Sequence, residues 1–240
     1  MSDDEKRRWR NKPAPQPGGE RQLAVRVKNK KTKESSRKWI ERQLNDPYVT
    51  RAKAEGYRAR AAYKLIELDE KFHLLKRGQR IIDLGAAPGG WTQVAVERTK
   101  PRSSGARIVA VDIQPLEPVE GATVLELDVL QPDAPARIRE VLGRAADVVL
   151  SDMAPATTGH RSTDHLRSLA LAETALALAE ALLAPGGAFL VKIFQGGGEV
   201  EFERGLRARF EAVRRVKPEA SRAESREIYI LAKGFKPKGV

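Results

Sequence analysis

The sequence predicts an α/β fold: a mostly parallel sheet covered by helices on both faces, with an antiparallel hairpin at one edge. Two observations predict it. Beyond Gly78, short and nearly continuous apolar runs alternate with segments of helical periodicity, as successive βα units require. The last two strand-like runs have no helix between them, and so short a connection favours antiparallel pairing.

Residues 1–34 are rich in Lys, Arg, Pro, Gly and Gln with little periodic hydrophobicity. Such a composition cannot offset its own ordering entropy, so a basic, disordered extension is expected there, with the folded domain over 35–240. SSRKWIERQLNDPYV reads as one short capped helix, with Trp39 beside two cations. In RARAAYKLIELDEKFHLL, Ala62, Leu65, Ile66, Leu68, Phe72 and Leu75 recur at helical spacing, which predicts an amphipathic helix ending near Gly78. QRIIDLG is a buried strand, GGWTQVAVERT a helix, ARIVAVDI and ATVLELDV strands, DAPARIREVLG a helix and ADVVLSDMAP a strand. A long Ala/Leu helix follows from about Asp164 to Leu183, then the turn APGG and the strand GAFLVKIF. A helix from about Val200 to Phe210 leads into the closing pair, EAVRRVK and SREIYILAKGF.

The chain of 240 residues can bury one substantial core. Its formal charge of +12 favours a polyanionic partner, and the charge is unevenly placed. Residues 1–60 hold 18 Lys+Arg against 8 Asp+Glu, net +10, and residues 61–240 hold 26 against 24, net +2. The complete lack of cysteine excludes disulfides, a thiolate nucleophile and Cys-based zinc sites. The N-terminus lacks the apolar core of a secretory signal, and the most apolar later stretch is interrupted by Glu173 and Glu180, so a cytoplasmic protein is expected.

The loop DLGAAPGGW leaves the first strand at its carboxyl end, where open parallel sheets bind ligands. Its glycines admit close backbone approach, but no Lys-Ser/Thr pair follows them and GAAPGG does not match G-x-G-x-x-G. The next two strands end in Asp112 and Asp128. A carboxylate at the first of these ends can accept from both ribose hydroxyls of an adenosine-type ligand, and one at the second from an adenine amino group. A glycine loop without phosphate-binding residues, joined to these acids, suits S-adenosylmethionine. His160 and His165 in GHRSTDH are spaced i, i+5, which does not bring both to one helical face, and the segment reads as a loop; no metal site is expected.

From about Ser35 onward the chain resembles the FtsJ-type (RlmE-type) ribosomal RNA ribose 2′-O-methyltransferases, through SSRKW, RARAAYKL, DLGAAPGGW, SDMAP, LAPGG, VKIFQG and KPEASRAESREIY in order. The resemblance implies a Rossmann-like seven-stranded methyltransferase fold, S-adenosylmethionine as methyl donor, and a uridine of 23S rRNA in the large subunit as acceptor. It also implies a Lys-Asp-Lys-Glu tetrad, matched by Lys64, Asp152, Lys192 and Glu227, and cofactor contacts from Gly89, Trp91, Asp112, Asp128 and Asp152. For Trp91 the backbone is expected to matter more than the ring. VERTKPRSSGAR is longer than the family usual, so Asp112 is located by the strand pattern.

Lys192 stands in an otherwise apolar strand, a setting where desolvation favours the neutral amine. Lys64 would push the same way whereas Asp152 and Glu227 stabilise the ammonium, so the residues leave open which lysine titrates. Lys192 is taken as the expected acceptor of the hydroxyl proton, with Lys64 and Asp152 orienting it and the 2′-hydroxyl and Glu227 as a supporting hydrogen-bond partner. Arg51, Lys53, Arg58 and Arg60 are expected to form a positive face that grips RNA phosphates, and the chain to act as a monomer. A ribose methyltransferase of transfer RNA or of a messenger cap, and a non-catalytic RNA-binding assembly factor, are the alternative readings.

Overall fold

A computed structural model of the protein describes residues 34–237. The expected basic extension therefore lies outside the described residues, except for Glu34, which opens the first helix. The chain divides into two compact units, residues 1–47 and 48–240.

In the described part of the first unit, α1 spans Glu34–Leu44; α2, Pro47–Glu55, begins at the boundary. The single helix expected over this stretch is broken at Asn45 and Asp46, because Pro47 has no N–H to continue a helix but suits a first helical position. In the second unit, α3 spans Ala62–Phe72 and ends six residues before the expected stop at Gly78. His73 takes up the left-handed conformation there and donates its N–H to the Asp69 carbonyl, while the Asp69 carboxylate accepts from Leu75 N at 2.7 Å. A non-glycine cap of this kind leaves no mark in the apolar spacing.

The remaining elements are β1 (Arg80–Leu84), α4 (Gly90–Thr99), α5 (Pro101–Ser104), β2 (Arg107–Asp112), β3 (Thr123–Glu126), α6 (Ala134–Leu142), β4 (Ala146–Ser151), α7 (Arg161–Leu182), β5 (Leu183–Phe194), α8 (Glu199–Arg207), β6 (Phe210–Val216) and β7 (Glu227–Phe235). They build one seven-stranded sheet in the order β3-β2-β1-β4-β5-β7-β6. The order reverses between β1 and β4, which sets a ligand crevice at the carboxyl ends of the central strands. Strands β1 to β5 are parallel neighbours, and β7 runs antiparallel to both β5 and β6, so the expected hairpin sits at the edge with β6 outermost.

Residues of alternating parity on each strand bury into two cores. Ile82, Leu84, Val109, Val149, Val191 and Ile193 pack with α6, α7 and α8 on one face. Ile81, Ile108, Val148, Leu150, Leu190 and Tyr229 pack with α3 and α4 on the other. A fully buried aliphatic side chain contributes about 1.5–3 kcal/mol, so a one-residue slip of any central strand would forfeit several such terms at once. Register is thereby pinned, and with it the position of every side chain at the strand ends.

Three boundaries differ from expectation in ways that affect the site. Strand β3 stops at Glu126, which leaves Asp128 in the following loop. Helix α7 starts at Arg161, so the GHRSTDH segment is mostly helical and His165 is a buried helix residue instead of a loop residue. Strand β5 already begins at Leu183 and takes in APGG, with a register irregularity between Ala146 and Val148 of its partner.

Candidate active site

The four tetrad residues come from four separate elements and meet at the carboxyl end of the sheet. Lys64 lies in the first turn of α3, Asp152 directly follows β4, Lys192 lies near the end of β5, and Glu227 opens β7. Because β7 is antiparallel to β5, its first residue stands beside the last of β5: Phe194 pairs with Glu227 and Lys192 with Tyr229. The four residues resolve into two ion pairs. Lys192 Nζ is 2.9 Å from Asp152 Oδ1 and also donates to the Asp152 carbonyl at 2.5 Å. Lys64 Nζ is 2.6 Å from Glu227 Oε1. Both lysines are buried, 9% and 7% exposed, which makes unpaired charge costly and the pairing strong.

Tyr229 joins the two pairs. Its hydroxyl donates to Asp152 Oδ1 at 2.8 Å, and its ring lies 5.8 Å from Lys64 Nζ and 5.7 Å from the Trp91 ring. Burial pushes the Tyr229 hydroxyl well above the usual phenol range, and the negative charges of Asp152 and Glu227 push the same way, so it remains a donor. Burial alone would raise the Asp152 carboxyl. The charges of Lys192 and Lys64, with hydrogen bonds from Lys192 and Tyr229, overcome it and hold Asp152 below the ordinary carboxylate value. Sequence reasoning missed Tyr229, although its i, i+2 spacing from Glu227 on one strand places both on the same face.

Beside these pairs lies a cleft of about 360 Å³ whose walls include Gly85, Ala87, Asp112, Asp128, Asp152 and Met153. Gly85 has φ +75°, and a Cβ there would come within 2.9 Å of the Met153 backbone, so the loop reaches this close to the Asp152 turn only with glycine. Asp112 braces the same loop. Its Oδ2 accepts from Ala87 N at 2.9 Å and its Oδ1 from Gln114 N at 2.8 Å. Asp128 Oδ1 accepts from Leu130 N at 2.9 Å. Each carboxylate keeps further lone pairs for hydroxyl or amino donors in the cleft. Ile113 and Leu130, 64% and 65% exposed, offer apolar faces at the cleft beside the two acids.

Gly89 and Trp91 do not line this cleft. Gly89 precedes α4 with φ 112°, a conformation that favours glycine. Trp91 is buried, with its indole N–H donated to the Ala61 carbonyl at 2.8 Å, so its ring ties α4 to the entry of α3.

Two further residues order the loops that flank the ion pairs. Buried Asp164 accepts from Thr158 N at 2.7 Å, Thr158 Oγ1 at 2.8 Å and Gly159 N at 3.2 Å, which folds the loop after Asp152 onto α7. His165 Nδ1 is 2.7 Å from the Phe194 carbonyl and its Nε2 accepts from Gly198 N at 3.1 Å, an arrangement that puts the ring proton on Nδ1 and fixes the loop after β5.

Three of the four members of the expected phosphate-gripping face carry contacts within the chain. Arg51 pairs with Glu55 at 2.9 Å and lies over the Tyr63 ring. Arg60 donates to the Ala220 carbonyl and lies over the Tyr48 ring. Arg58 spends its guanidinium on three backbone carbonyls. Glu55, four residues on, took Arg51, while Arg58 and Arg60 went to backbone carbonyls 30 to 160 residues away, which a run of basic residues does not reveal. Lys53 is exposed.

Residues 57–235 match the model of the FtsJ-like methyltransferase family. The chain is 53% identical over 225 residues to a ribosomal RNA large subunit methyltransferase E of Granulibacter bethesdensis, covering 93% of this chain and 96% of that one. A protein of the same name from Hyphomonas neptunium is 50% identical over 239 residues, covering 98% and 100%. Among solved structures, a Plasmodium falciparum protein named as a ribosomal RNA methyltransferase superposes with a TM-score of 0.67 at 30% identity, covering 75% of this chain and 98% of that one.

Proposed function

The chain belongs to the FtsJ-like methyltransferase family, and from that premise we propose that it transfers a methyl group from S-adenosylmethionine to a ribose 2′-hydroxyl of large-subunit ribosomal RNA, a uridine of 23S rRNA. The observation that carries this reading is the meeting of two buried lysine–carboxylate pairs with a cleft that suits an adenosine ligand. Asp112 and Asp128 retain acceptor capacity for ribose hydroxyls and an adenine amino group, and Ile113 and Leu130 offer apolar contact to the ring faces. Asp152 borders both cleft and tetrad, so its carboxylate is available to a cationic methionine end. Gly89 and Trp91 support the same site indirectly, by shaping the loop and holding α4. When bound, S-adenosylmethionine supplies an electrophilic methyl group on a sulfonium.

A ribose hydroxyl is a weak nucleophile until its proton departs, so the protein must supply a proton acceptor and alignment. Lys192 is that acceptor in our reading. Two of its three Nζ positions face Asp152 oxygens, which leaves one direction for the substrate oxygen. Because Lys192 pairs with Asp152 as an ammonium in the free protein, it would first have to release a proton to solvent. With the methyl donor bound, the 2′-oxygen would then take the methyl group as the carbon–sulfur bond breaks, and the hydroxyl proton would pass to Lys192 Nζ. Lys64, held by Glu227, adds positive charge that stabilises the developing oxyanion. The low exposure of both pairs strengthens each of these interactions.

Among the described residues no helix is long and apolar enough to cross a membrane. A cytoplasmic setting and ribosomal RNA as the partner belong to the same proposal. The test is incubation of the purified chain and labelled S-adenosylmethionine with large ribosomal subunits, bulk transfer RNA and capped RNA, followed by mapping of 2′-O-methyl sites. Label in large-subunit RNA that disappears in Lys192→Ala, with cofactor affinity retained in that variant, is the expected result. Label on transfer RNA alone would overturn the substrate, and wild-type turnover in Lys192→Ala the role of that lysine.

A further inference from the structure

Arg58 stands between Gly56 and α3, outside both the tetrad and the cleft lining, and its contacts concern the cleft. Nη1 donates to the Glu117 carbonyl at 2.6 Å and to the Pro88 carbonyl at 3.3 Å, and Nη2 donates to the Pro118 carbonyl at 2.7 Å. Pro88 belongs to the glycine loop that forms one wall of the cleft. Glu117 and Pro118 belong to the crossover that leaves Asp112, whose first residues, Ile113 and Gln114, also line the cleft. One planar guanidinium therefore bridges the two cleft-lining segments.

The fit around it is close. A Cβ on Gly89 would lie 3.0 Å from Arg58 Nη1, 3.2 Å from its Cδ and 3.3 Å from Leu116 Cδ1, so the loop, the arginine and the crossover pack against one another at that glycine. The backbone on either side is also fastened. Arg58 N donates to Gln93 Oε1 at 2.9 Å, and Gln93 Nε2 donates to the Gly56 carbonyl at 3.0 Å, from the first turn of α4. Three residues further on, the Ala61 carbonyl receives the Trp91 indole N–H, and Lys64 follows within one turn.

We propose that Arg58 is a positioning residue for the methyl donor: it clamps the glycine loop to the Asp112 crossover, so that both segments are preformed when the donor enters. The proposal rests on the reading that this cleft takes S-adenosylmethionine. A fork of planar donors is required, because three carbonyls on two separate segments must be met at once; a lysine ammonium offers a point charge on a flexible stem. Three of the five N–H donors of Arg58 already face carbonyls, so its main role is structural, and a phosphate contact is an outcome that the salt slope tests.

Calorimetric titration of wild type, Arg58→Ala and Arg58→Lys with S-adenosylmethionine, without RNA, tests this directly. Ordering the two segments at the moment of binding should weaken donor affinity about tenfold in Arg58→Ala, with Arg58→Lys intermediate. At saturating donor kcat should recover to within about threefold of wild type, because the tetrad is untouched. The slope of log RNA affinity against log salt should equal that of wild type, whereas loss of a phosphate contact would lower it by about one. Unchanged donor affinity in both variants would overturn the clamp, as would a shallower salt slope with normal donor binding. If Arg58→Ala fails to fold, Arg58→Lys alone decides, by the same donor titration. Failure of the wild type to bind S-adenosylmethionine would instead refute the reading of the cleft.

Discussion

Replacing Asp83 by Asn should make the protein more stable at alkaline pH and leave it nearly unchanged at acid pH. Asp83 lies in β1, fully buried, with Thr92 Oγ1 donating to its Oδ2 at 2.6 Å and no hydrogen-bond partner in the protein for its Oδ1. Burial raises its pKa from 3.8 to about 7; the Thr92 hydrogen bond opposes the rise, and the charges of Asp152 and Asp112 add to it. The folded chain therefore keeps this proton across a range where the unfolded chain has released it. Stability falls as pH rises from about 4 to about 7, and above that the whole penalty is present. Three pKa units at ~1.4 kcal/mol each amount to ~4 kcal/mol. Asn carries no charge at any pH, and its carbonyl can still accept from Thr92. Its amide gains no partner where Oδ1 now lies, but that cost is independent of pH and cancels in a comparison between two pH values. Urea titrations of wild type and Asp83→Asn at pH 4.5 and pH 8 should show the variant gaining ~3 kcal/mol on wild type between them. Parallel pH dependence in the two proteins would refute the buried-carboxyl reasoning.

Tyr229→Phe deletes one hydrogen bond to the Asp152 carboxylate and keeps the ring that neighbours Trp91 and Lys64. A charge-assisted bond of ~1.5–3 kcal/mol predicts a fall in kcat of roughly 10- to 100-fold with unchanged donor affinity. Because that bond helps hold Asp152 below the ordinary value, the acid limb of the kcat profile should move to higher pH; a profile superposable on wild type would contradict this. Removing residues 1–33, whose sequence carries 11 Lys+Arg and 4 Asp+Glu, should flatten the salt dependence of RNA affinity in a filter-binding assay. An equal slope with and without the segment would show that it takes no part in RNA binding.

The alternation of apolar runs and helical segments was enough to read the parallel sheet and its closing hairpin, because βα units write their periodicity into every stretch of about ten residues. The strand-end acids were legible for the same reason: Asp112 ends β2, and Asp128 lies only two residues past β3. Helix ends were less legible. His73 closes α3 through a backbone conformation, and α7 gains its first turn from the loop anchored by Asp164, neither of which alters hydropathy.

The residue types of the site were determined by the sequence alone; their partners were decided by the tertiary structure. Motif matches named Lys64, Asp152, Lys192 and Glu227, but not that Lys64 pairs with Glu227 while Lys192 pairs with Asp152. That choice follows from β7 entering between β5 and β6, which brings residues far apart in the chain to one strand end. Arg58 illustrates the same division. In the chain it is one cation in a basic run, and in the fold its guanidinium is claimed by carbonyls of two other segments. Charge is a property of the residue, whereas a hydrogen bond is a property of the distance between two segments, and only folding sets that distance.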